Sequence, residues 1–276
     1  MAGMTRKAEL WQRAVACLAA GAKDQAEALF QQAVPAEKDC VEAHLAWARS
    51  RLPGPGYREI LACLHAFLQP KNYIEIGVEF GHTLKLAGPE TRVFGIDPRP
   101  QVDFPLPENV SLWEMTSDVF FVENDVQSLL GGTFDLAFID GLHIFEQVLQ
   151  DIVNLERYAG PSSLIAIHDC LPLDRRTASR QRTTQFWSGD VWKIVPCLKR
   201  ERPDLSLVTI PTYPTGLCLI GGLQSESDFL SRNFPLLVER YAGLDYEAIG
   251  DKETYFSLIA NDWSLIRKLL PRLQDE

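Results

Sequence analysis

Short apolar strands alternate with amphipathic helices between residues 73 and 220, and this alternation restricts the fold more than any other feature of the sequence. The strand candidates are Tyr73 to Ile76, Arg92 to Ile96, Val110 to Met115, Phe134 to Ile139, Ser163 to Ile167, Leu205 to Ile210 and Leu217 to Ile220. The first five are spaced as in βαβ units, which implies parallel pairing with right-handed crossovers. The last two flank Pro211 to Gly216, a sequence typical of a tight antiparallel return. We therefore predict an α/β fold with a mostly parallel sheet and an antiparallel hairpin at its edge.

Helical patterns precede the sheet segment. They cover Glu9 to Ala20 and Lys23 to Ala33, and a third begins near Asp39 and runs to Leu52. Small residues in these helices would let them approach closely, and the pattern resembles about one and a half tetratricopeptide repeats. Because repeat arrays need about three units for stability, two interpretations remain open: a peptide-binding array, or an extension packed on the neighbouring domain.

Breaks in the helical patterns divide the chain. The segment Leu52 to Gly56 is rich in proline and glycine, so it ends any helix and is the best linker candidate. The tail from Ser225 to Glu276 has apolar stripes at helical spacing, which indicate two or three helices packed as core or in a dimer interface. The predicted organisation is a helical, tetratricopeptide-like extension at residues 1–52, a sheet domain at 57–222 and a helical extension at 223–276.

Charge and cysteine content exclude several classes of function. The formal net charge is −10 and the basic residues are scattered, so no nucleic-acid partner is expected. The six cysteines stand apart without a C-x-x-C pair, which suits reduced thiols in a cytoplasm. No apolar run approaches the roughly 20 residues that cross a bilayer, and the amino terminus lacks the pattern of a secretory signal. The sequence therefore predicts a cytoplasmic protein with no membrane partner.

A glycine turn follows the first strand. Within Glu75 to Thr83, Gly77 and Gly81 permit a tight turn and a close approach of the backbone to a ligand, and a helix is predicted to begin near Thr83. Ligands of open parallel sheets bind beyond the carboxyl ends of the strands, so this turn is a candidate cofactor site. Glu79 stands where the dinucleotide fingerprint has its second glycine, and its carboxylate would meet a pyrophosphate. This disfavours a nicotinamide-dependent oxidoreductase.

An acid ends the second strand. Asp97 lies 22 residues after Glu75, close to the roughly 20 residues expected for a carboxylate that binds ribose hydroxyls. The arrangement E-x-G-x-x-x-G resembles the first motif of class I S-adenosylmethionine-dependent methyltransferases. This resemblance implies a Rossmann-like sheet with S-adenosyl-L-methionine as cofactor, and it places Met115 to Asp118 at the adenine. The cofactor-binding residues that we predict are Glu75, Gly77, Gly81, Thr83, Asp97, Ser117 and Asp140.

Carboxylates and imidazoles follow the fourth and fifth strands. Asp140 and His143 follow the fourth strand, and His168 and Asp169 follow the fifth. Adjacent strand ends would bring these groups to one rim, where a divalent cation would relieve the repulsion between the carboxylates. Oxygen ligands suit magnesium, whereas an imidazole would also admit manganese, iron or zinc. The structural alternatives are a turn at Asp140, a helix cap at His143 and a buried imidazole at His168.

A second resemblance concerns the same residues. Ile139 to His143, Gly160-Pro161 and Ile167 to Asp169 resemble a methyltransferase family related to macrolide sugar O-methyltransferases and cephalosporin-hydroxylase-like proteins. In such relatives an acid after the fourth strand and an acid after the fifth hold a divalent metal. The resemblance implies Asp140 and Asp169 as ligands of magnesium or manganese, with His168 as the third candidate. Here the chain departs from the hydroxylase-like relatives, which have Glu-Asp in place of His168-Asp169.

These features predict an S-adenosylmethionine-dependent O-methyltransferase that acts on a small hydroxylated substrate, such as a sugar or a natural-product intermediate. A bound metal would lower the pKa of the substrate hydroxyl, and His143 or His168 would accept its proton. The alternative from another class is a catalytically silent binding or scaffold protein that recruits a partner through its helical extension. The helical extensions also offer a surface for a protein partner or a homodimer.

An insertion from Leu171 to Pro203 separates the fifth and sixth strands. It carries arginines at positions 175, 176, 180 and 182, followed by Phe186 to Lys193. Loops at this end of a sheet cover the acceptor, so the arginines would hold an anionic substrate and Trp187 would stack on a ring. The alternative is a solvated loop. Trp192 falls in a helical pattern, which indicates packing.

Overall fold

Seven strands form the sheet of the computed structural model, which describes residues 6–33 and 41–274. The strands are β1 (Asn72–Ile76), β2 (Arg92–Ile96), β3 (Val110–Trp113), β4 (Phe134–Ile139), β5 (Ala159–His168), β6 (Ser206–Ile210) and β7 (Leu217–Gly221). Their order is β3-β2-β1-β4-β5-β7-β6. The first five in this order pair in parallel, and β7 pairs antiparallel with both β5 and β6. The predicted α/β fold, a mostly parallel Rossmann-like sheet with an antiparallel edge hairpin, is confirmed.

The described helices precede, connect and follow these strands. They are α1 (Arg6–Ala19), α2 (Lys23–Ala33), α3 (Val41–Arg51), α4 (Tyr57–Leu68), α5 (Ser117–Glu123), α6 (Val126–Leu130), α7 (Phe145–Glu156), α8 (Ile194–Glu201), α9 (Phe229–Tyr241), α10 (Lys252–Phe256) and α11 (Trp263–Gln274). The start predicted for the third helix, near Asp39, lies outside the described residues.

The connection after β1 differs from the prediction. The helix expected from Thr83 is wrong, because only one 3-10 turn, Leu84–Leu86, follows the glycine turn. Gly88 and Pro89 come directly afterwards, and a residue before proline avoids the helical backbone, so a helix cannot continue here. A loop joins β2 to β3, whereas α5 with α6, and then α7, provide the two later crossovers.

Helices cover both faces of the sheet. On one face, Ile76 and Ile139 are buried in one cluster with Leu149 of α7. On the other, Tyr73 and Phe138 are buried in a second cluster with apolar residues of α4 and α11. Strands buried on both faces present no polar surface along their length. The strand ends are therefore the part of the sheet that can meet a ligand.

The N-terminal helices contact the sheet domain through α3. Trp47 in the middle of α3 is buried, and Arg51 at its end donates from Nη1 to the carbonyl oxygen of Leu173 (3.2 Å). The His44 ring stacks on Phe186 with ring centroids 5.2 Å apart. Leu173 and Phe186 both belong to the insertion between β5 and β6, so α3 supports the segment that was predicted to cover the acceptor.

The C-terminal helices also pack within the chain. Tyr241 of α9 contacts Phe145 of α7, with ring centroids 6.2 Å apart, and Leu237 is buried beside it. Ile266 and Leu270 of α11 are buried in the cluster that includes α4. These members of the predicted apolar stripes therefore belong to the core. In the described part of the chain, no helix is long and apolar enough to cross a membrane.

Candidate active site

A cavity of about 710 Å³ lies at the carboxyl ends of the parallel strands. Its wall includes the residues that follow four neighbouring strands: Gly77 after β1, Asp97 after β2, Asp140 after β4 and Asp169 after β5. The chain reverses its direction of travel across the sheet between β1 and β4, and ligands of open α/β sheets bind at such a switch point. The cavity is therefore the candidate active site.

The glycine turn after β1 lies directly against the end of β4. The Asp140 amide donates to the carbonyl oxygen of Ile76 (2.8 Å), and Gly77 has a φ of 89°. A Cβ atom on residue 77 would lie 2.2 Å from the carbonyl oxygen of Asp140, so this position accepts only glycine. Gly81, with a φ of 69°, ends the same turn. The sequence predicted a close backbone approach at Gly77, and the structure shows that Gly77 approaches the backbone of Asp140.

Asp97 organises this turn. Its Oδ2 accepts hydrogen bonds from the backbone amides of Val78 and Glu79, both at 2.9 Å, and its Oδ1 accepts one from the Arg99 amide at 2.7 Å. Each carboxylate oxygen has two lone pairs, so Oδ2 is fully used and Oδ1 retains one. Asp97 lines the cavity, as predicted, and has one acceptor position left for a hydroxyl group.

Glu75 and Thr83 form a hydrogen bond with each other beneath the glycine turn. Glu75 has no exposed surface; its Oε1 accepts from the Thr83 hydroxyl and its Oε2 from the Tyr73 hydroxyl, both at 2.6 Å. Burial raises the pKa of Glu75 to about 8. Both oxygens have partners inside the protein, so Glu75 supports the turn from behind. Direct contact with a cofactor, which was predicted for this residue, is blocked by its burial, whereas Thr83 does line the cavity.

A polar group from α5 and α7 borders the far side of the cavity. The Ser117 hydroxyl donates to Oδ1 of Asp151 (2.6 Å), and Gln147 donates to Asp151 and to Asp118, each at 3.3 Å. Burial raises the pKa of Asp151 to about 7. Ser117 was predicted for this region, but Gln147 and Asp151 were not. The signal in the sequence was two polar residues four apart in a helix that otherwise shows apolar packing positions.

Asp140, His143 and Asp169 come together at the ends of β4 and β5. One potential ligand atom from each lies within 4.8 Å of the others. Nδ1 of His143 is 3.1 Å from the carbonyl oxygen of Trp187, a distance at which an N–H at this position donates to it. In the neutral imidazole that a cation would bind, this leaves the free lone pair on Nε2, which is 3.4 Å from Oδ1 of Asp140. A carbonyl that accepts from the other ring nitrogen in this way is what fixes the tautomer of a metal-binding histidine.

Asp169 holds a buried oxygen without a hydrogen bond. Its Oδ1 accepts from the Thr215 hydroxyl, whereas Oδ2 has no hydrogen-bond partner among the described residues, although it lies 3.0 Å from Nδ1 of His143. The residue is 4% exposed and has a left-handed backbone with a φ of 63°, a conformation that is uncommon outside glycine. A buried carboxylate oxygen without a partner is costly, so the arrangement fits a bound cation.

His168 is connected differently. Its Nδ1 lies 3.1 Å from Oδ1 of Asp140 and its Nε2 lies 3.3 Å from the Thr215 hydroxyl, while its ring centroid is 4.0 Å from that of Tyr57. Both ring nitrogens have partners, so His168 positions Asp140. As a third metal ligand the geometry favours His143 over the predicted His168. Thr215, in the turn before β7, was not predicted because nothing in its local sequence indicates a site.

The charges in this cluster balance one another. Burial alone would raise the pKa of Asp140, but the neighbouring His168 and His143 lower it well below its usual range. For His143 and His168, burial acts to lower the pKa, but the carboxylates of Asp169 and Asp140 raise both pKa values above the ordinary one. Two carboxylates and two imidazoliums therefore satisfy each other, and a metal would displace the proton of His143.

The arginines of the insertion have separate roles. Arg175 pairs with Asp245 (3.0 Å) and Glu247 (2.7 Å) on the surface. Arg180 pairs with Glu146 and with the buried Asp190 (3.5 Å). Arg182 is the member of this group that lines the cavity, together with Trp187, whose ring stacks on His143 at 5.5 Å. Trp192 is buried, which confirms its predicted packing role.

Part of the chain matches a known family. Residues 74–170 match the sequence profile of a family described as a methyltransferase domain. The matched segment runs from β1 to just after β5 and contains Gly77, Asp97, Asp140 and Asp169. The similarity to a methyltransferase domain therefore covers about a third of the chain. No curated protein sequence matches it.

Three solved structures are similar to this chain at low sequence identity. Cofactor-bound Rv0187 from MTB is 19% identical over 67% of this chain and 89% of its own, with a TM-score of 0.48. The O-methyltransferase TomG from Streptomyces achromogenes, involved in tomaymycin synthesis and solved with S-adenosylmethionine, is 13% identical over 70% and 93%, with a TM-score of 0.44. An O-methyltransferase from Bacillus cereus, solved with S-adenosylhomocysteine, is 14% identical over 68% and 92%, with a TM-score of 0.45.

The contact between Gly77 and Asp140 can be tested by adding one methyl group. Gly77→Ala should lower the free energy of unfolding by at least about 2 kcal/mol, because the new Cβ meets a backbone oxygen and the φ value is unfavourable for alanine. Urea unfolding followed by circular dichroism measures the change. Gly243→Ala is the matched control, since no atom lies within 4 Å of its added Cβ. Equal stability of the two variants would show that the turn does not press on β4.

The buried Glu75 predicts a pH dependence of stability. Its folded pKa of about 8 lies above the ordinary value of 4.5, so between about pH 5 and 8 the folded protein keeps a proton that the unfolded chain has lost. The free energy of unfolding should fall as the pH rises through this window, by up to about 1.4 kcal/mol per pH unit from this group. Glu75→Gln should remove that part of the slope, whereas Glu123→Gln on the surface should retain it. An unchanged slope in Glu75→Gln would contradict the assignment.

Proposed function

We propose that the chain is an S-adenosylmethionine-dependent O-methyltransferase that acts on a small hydroxylated molecule with the help of a divalent cation. The observation that carries this proposal is the cluster of Asp140, His143 and Asp169 beside the glycine turn, in which the buried Oδ2 of Asp169 accepts no hydrogen bond and lies 3.0 Å from Nδ1 of His143. Cofactor turn and candidate metal ligands therefore share one cavity. That juxtaposition is what transfer of a methyl group to a bound hydroxyl requires.

The cofactor half of the cavity consists of the turn after β1 and the ends of β2 and β3. S-adenosylmethionine supplies an electrophilic methyl group on a cationic sulfonium. Gly77 leaves room at the turn, the free lone pair of Asp97 can accept a ribose hydroxyl, and Ser117 with Asp118 borders the space for the adenine. The backbone of Asp140 touches the turn, and its carboxylate, which lines the same cavity, favours a positive charge there.

The acceptor half is defined by the carboxylate and imidazole cluster. Asp140, His143 and Asp169 offer two oxygens and one nitrogen, a donor set that suits magnesium or manganese. A bound divalent cation would act as a Lewis acid that lowers the pKa of the acceptor hydroxyl. The Trp187 carbonyl orients His143, and His168 orients Asp140. His168 uses both of its ring nitrogens for Asp140 and Thr215, so neither nitrogen is free to take the hydroxyl proton.

Cofactor binding tests the first part of the proposal. Calorimetry should detect binding of S-adenosylmethionine and S-adenosylhomocysteine, and Asp97→Ala should weaken it by roughly 10-fold to 100-fold, since a hydrogen bond to a charged acceptor is lost. Asp97→Asn keeps one side-chain oxygen that can accept from the backbone amides of the turn. This variant therefore distinguishes loss of support for the turn from loss of contact with the ligand. Asp103→Ala, at an exposed position outside the cavity, should bind as the wild type does. Full affinity in Asp97→Ala would count against the ribose-binding role, and a wild-type protein that binds neither compound would refute the class.

Metal binding is tested independently of activity. The free Mn²⁺ signal in electron paramagnetic resonance should decrease when the protein is added, and Asp169→Asn or His143→Gln should weaken the binding at least about tenfold. His168→Gln should have a smaller effect, because His168 contacts Asp140 and not the ion. Asp103→Asn serves as the matched carboxylate control. If the wild-type protein leaves the Mn²⁺ signal unchanged, the metal assignment is wrong, while cofactor binding decides the rest separately.

A further inference from the structure

Two arginines at the mouth of the cavity have no carboxylate partner. Arg58 and Arg182 both line the cavity, and among the described residues neither forms an ion pair with an aspartate or a glutamate. Arg175 and Arg180, from the same insertion as Arg182, are both paired with carboxylates of the chain. The charges of Arg58 and Arg182 are therefore available to a ligand.

Each of the two guanidinium groups is held beside an aromatic ring of the cavity wall. Nη2 of Arg182 donates to the carbonyl oxygen of Gln185 (3.1 Å), and its guanidinium lies 5.8 Å from the ring centroid of Trp187. Trp187 in turn stacks on His143 at 5.5 Å. Arg182 is thus connected by one aromatic ring to the β4 side of the metal cluster.

Arg58 is fixed on the β5 side in a corresponding way. Its Nε donates to the hydroxyl oxygen of Tyr57 (3.0 Å), and the Tyr57 ring lies 4.0 Å from the ring of His168. Each arginine is therefore one aromatic residue away from an imidazole of the cluster. The bonds use Nε of Arg58 and part of Nη2 of Arg182, so each guanidinium keeps several N–H groups for an anion.

The balance of charge in the cavity favours an anionic acceptor. Asp140 and Asp169 each lie within 3.4 Å of an imidazole nitrogen of His143 or His168. The remaining acids of the wall, such as Asp97 and Asp118, lie at the cofactor end. Arg58 and Arg182 therefore place two permanent positive charges at this part of the cavity, in contrast to the net charge of −10 on the whole chain.

We propose that the acceptor is a hydroxylated carboxylic acid, whose carboxylate is bound by Arg58 and Arg182 while its hydroxyl lies at the Asp140, His143 and Asp169 cluster. This inference rests on the proposed methyltransferase function and adds the chemical class of the substrate. Guanidinium groups match the geometry of a carboxylate. The apolar rim contributed by Phe80 and Leu142, which are 43% and 57% exposed, suits a ring between the two polar ends of such a molecule.

A matched pair of probes tests the carboxylate. We would measure by calorimetry the binding of 3,4-dihydroxybenzoate and 3,4-dihydroxybenzamide to the full chain saturated with S-adenosylhomocysteine and Mg²⁺. The two probes share the ring and the hydroxyl groups and differ in the charge of one substituent. The acid should bind at least about tenfold more tightly than the amide, since hydrogen bonds between charged groups add to its affinity.

Arginine variants assign the charge to its residues. Arg58→Gln and Arg182→Gln should each weaken binding of the acid roughly tenfold and leave binding of the amide unchanged. Arg175→Gln is the control, because this arginine belongs to the same insertion but pairs with Asp245 and Glu247 on the surface. Thermal unfolding of each variant checks that the fold is retained.

The outcomes separate this inference from the function on which it rests. If the acid and the amide bind equally, or if the acid does not bind to the cofactor-saturated protein, the carboxylate inference is overturned and the methyltransferase proposal stands. If Arg58→Gln or Arg182→Gln loses affinity for S-adenosylhomocysteine instead, that arginine binds the carboxylate of the cofactor and the inference is overturned for it. A wild-type protein that does not bind S-adenosylhomocysteine overturns both.

Discussion

The backbone of Gly77 approaches the backbone of Asp140 more closely than any side chain at residue 77 would allow. These residues follow β1 and β4, which are hydrogen-bonded neighbours in the sheet. The turn proposed to receive the cofactor is thereby placed next to Asp140, the first carboxylate of the proposed metal site. Because a parallel ladder sets this spacing, the distance between the two halves of the site depends on main-chain geometry and not on flexible side chains.

The carboxylate and imidazole cluster brings ionisable groups together away from water. This costs desolvation free energy that the fold alone does not require. Burying a carboxylate is unfavourable unless it is paired, and in this cluster His168 and Thr215 connect Asp140 to Asp169. The oxygen of Asp169 that remains without a hydrogen bond, on a residue with a left-handed backbone, is the point at which this pairing is incomplete. Such a concentration of unfavourable local features is expected where a ligand completes the site.

The proposed acceptor half of the cavity draws on more parts of the chain than the proposed cofactor half does. The cofactor half lies within residues 74–170, which match the methyltransferase profile. The acceptor half adds Tyr57 and Arg58 from the start of α4, Arg182 and Trp187 from the insertion, and Thr215 from the edge hairpin. His44 of α3 stacks on Phe186 of that insertion, so α3 contacts the segment that borders the acceptor end of the cavity. Loops on a rigid sheet can change the substrate without changing the cofactor site, and this division follows that rule.

The sequence by itself determined the strands, the edge hairpin and the positions of the glycine turn, Asp97, Asp140 and Asp169, because strand periodicity, glycine and strand-end acids are local signals. The helix predicted after Gly81 failed because Gly88 and Pro89 end it, although that signal was also local. Only the tertiary structure favours His143 over His168 as the third ligand of the proposed cation, since the partners that orient their rings, Trp187 and Thr215, are 44 and 47 residues away along the chain. It also decided that Glu75 supports the turn from inside the core, because burial depends on everything packed around a residue and not on its neighbours in sequence.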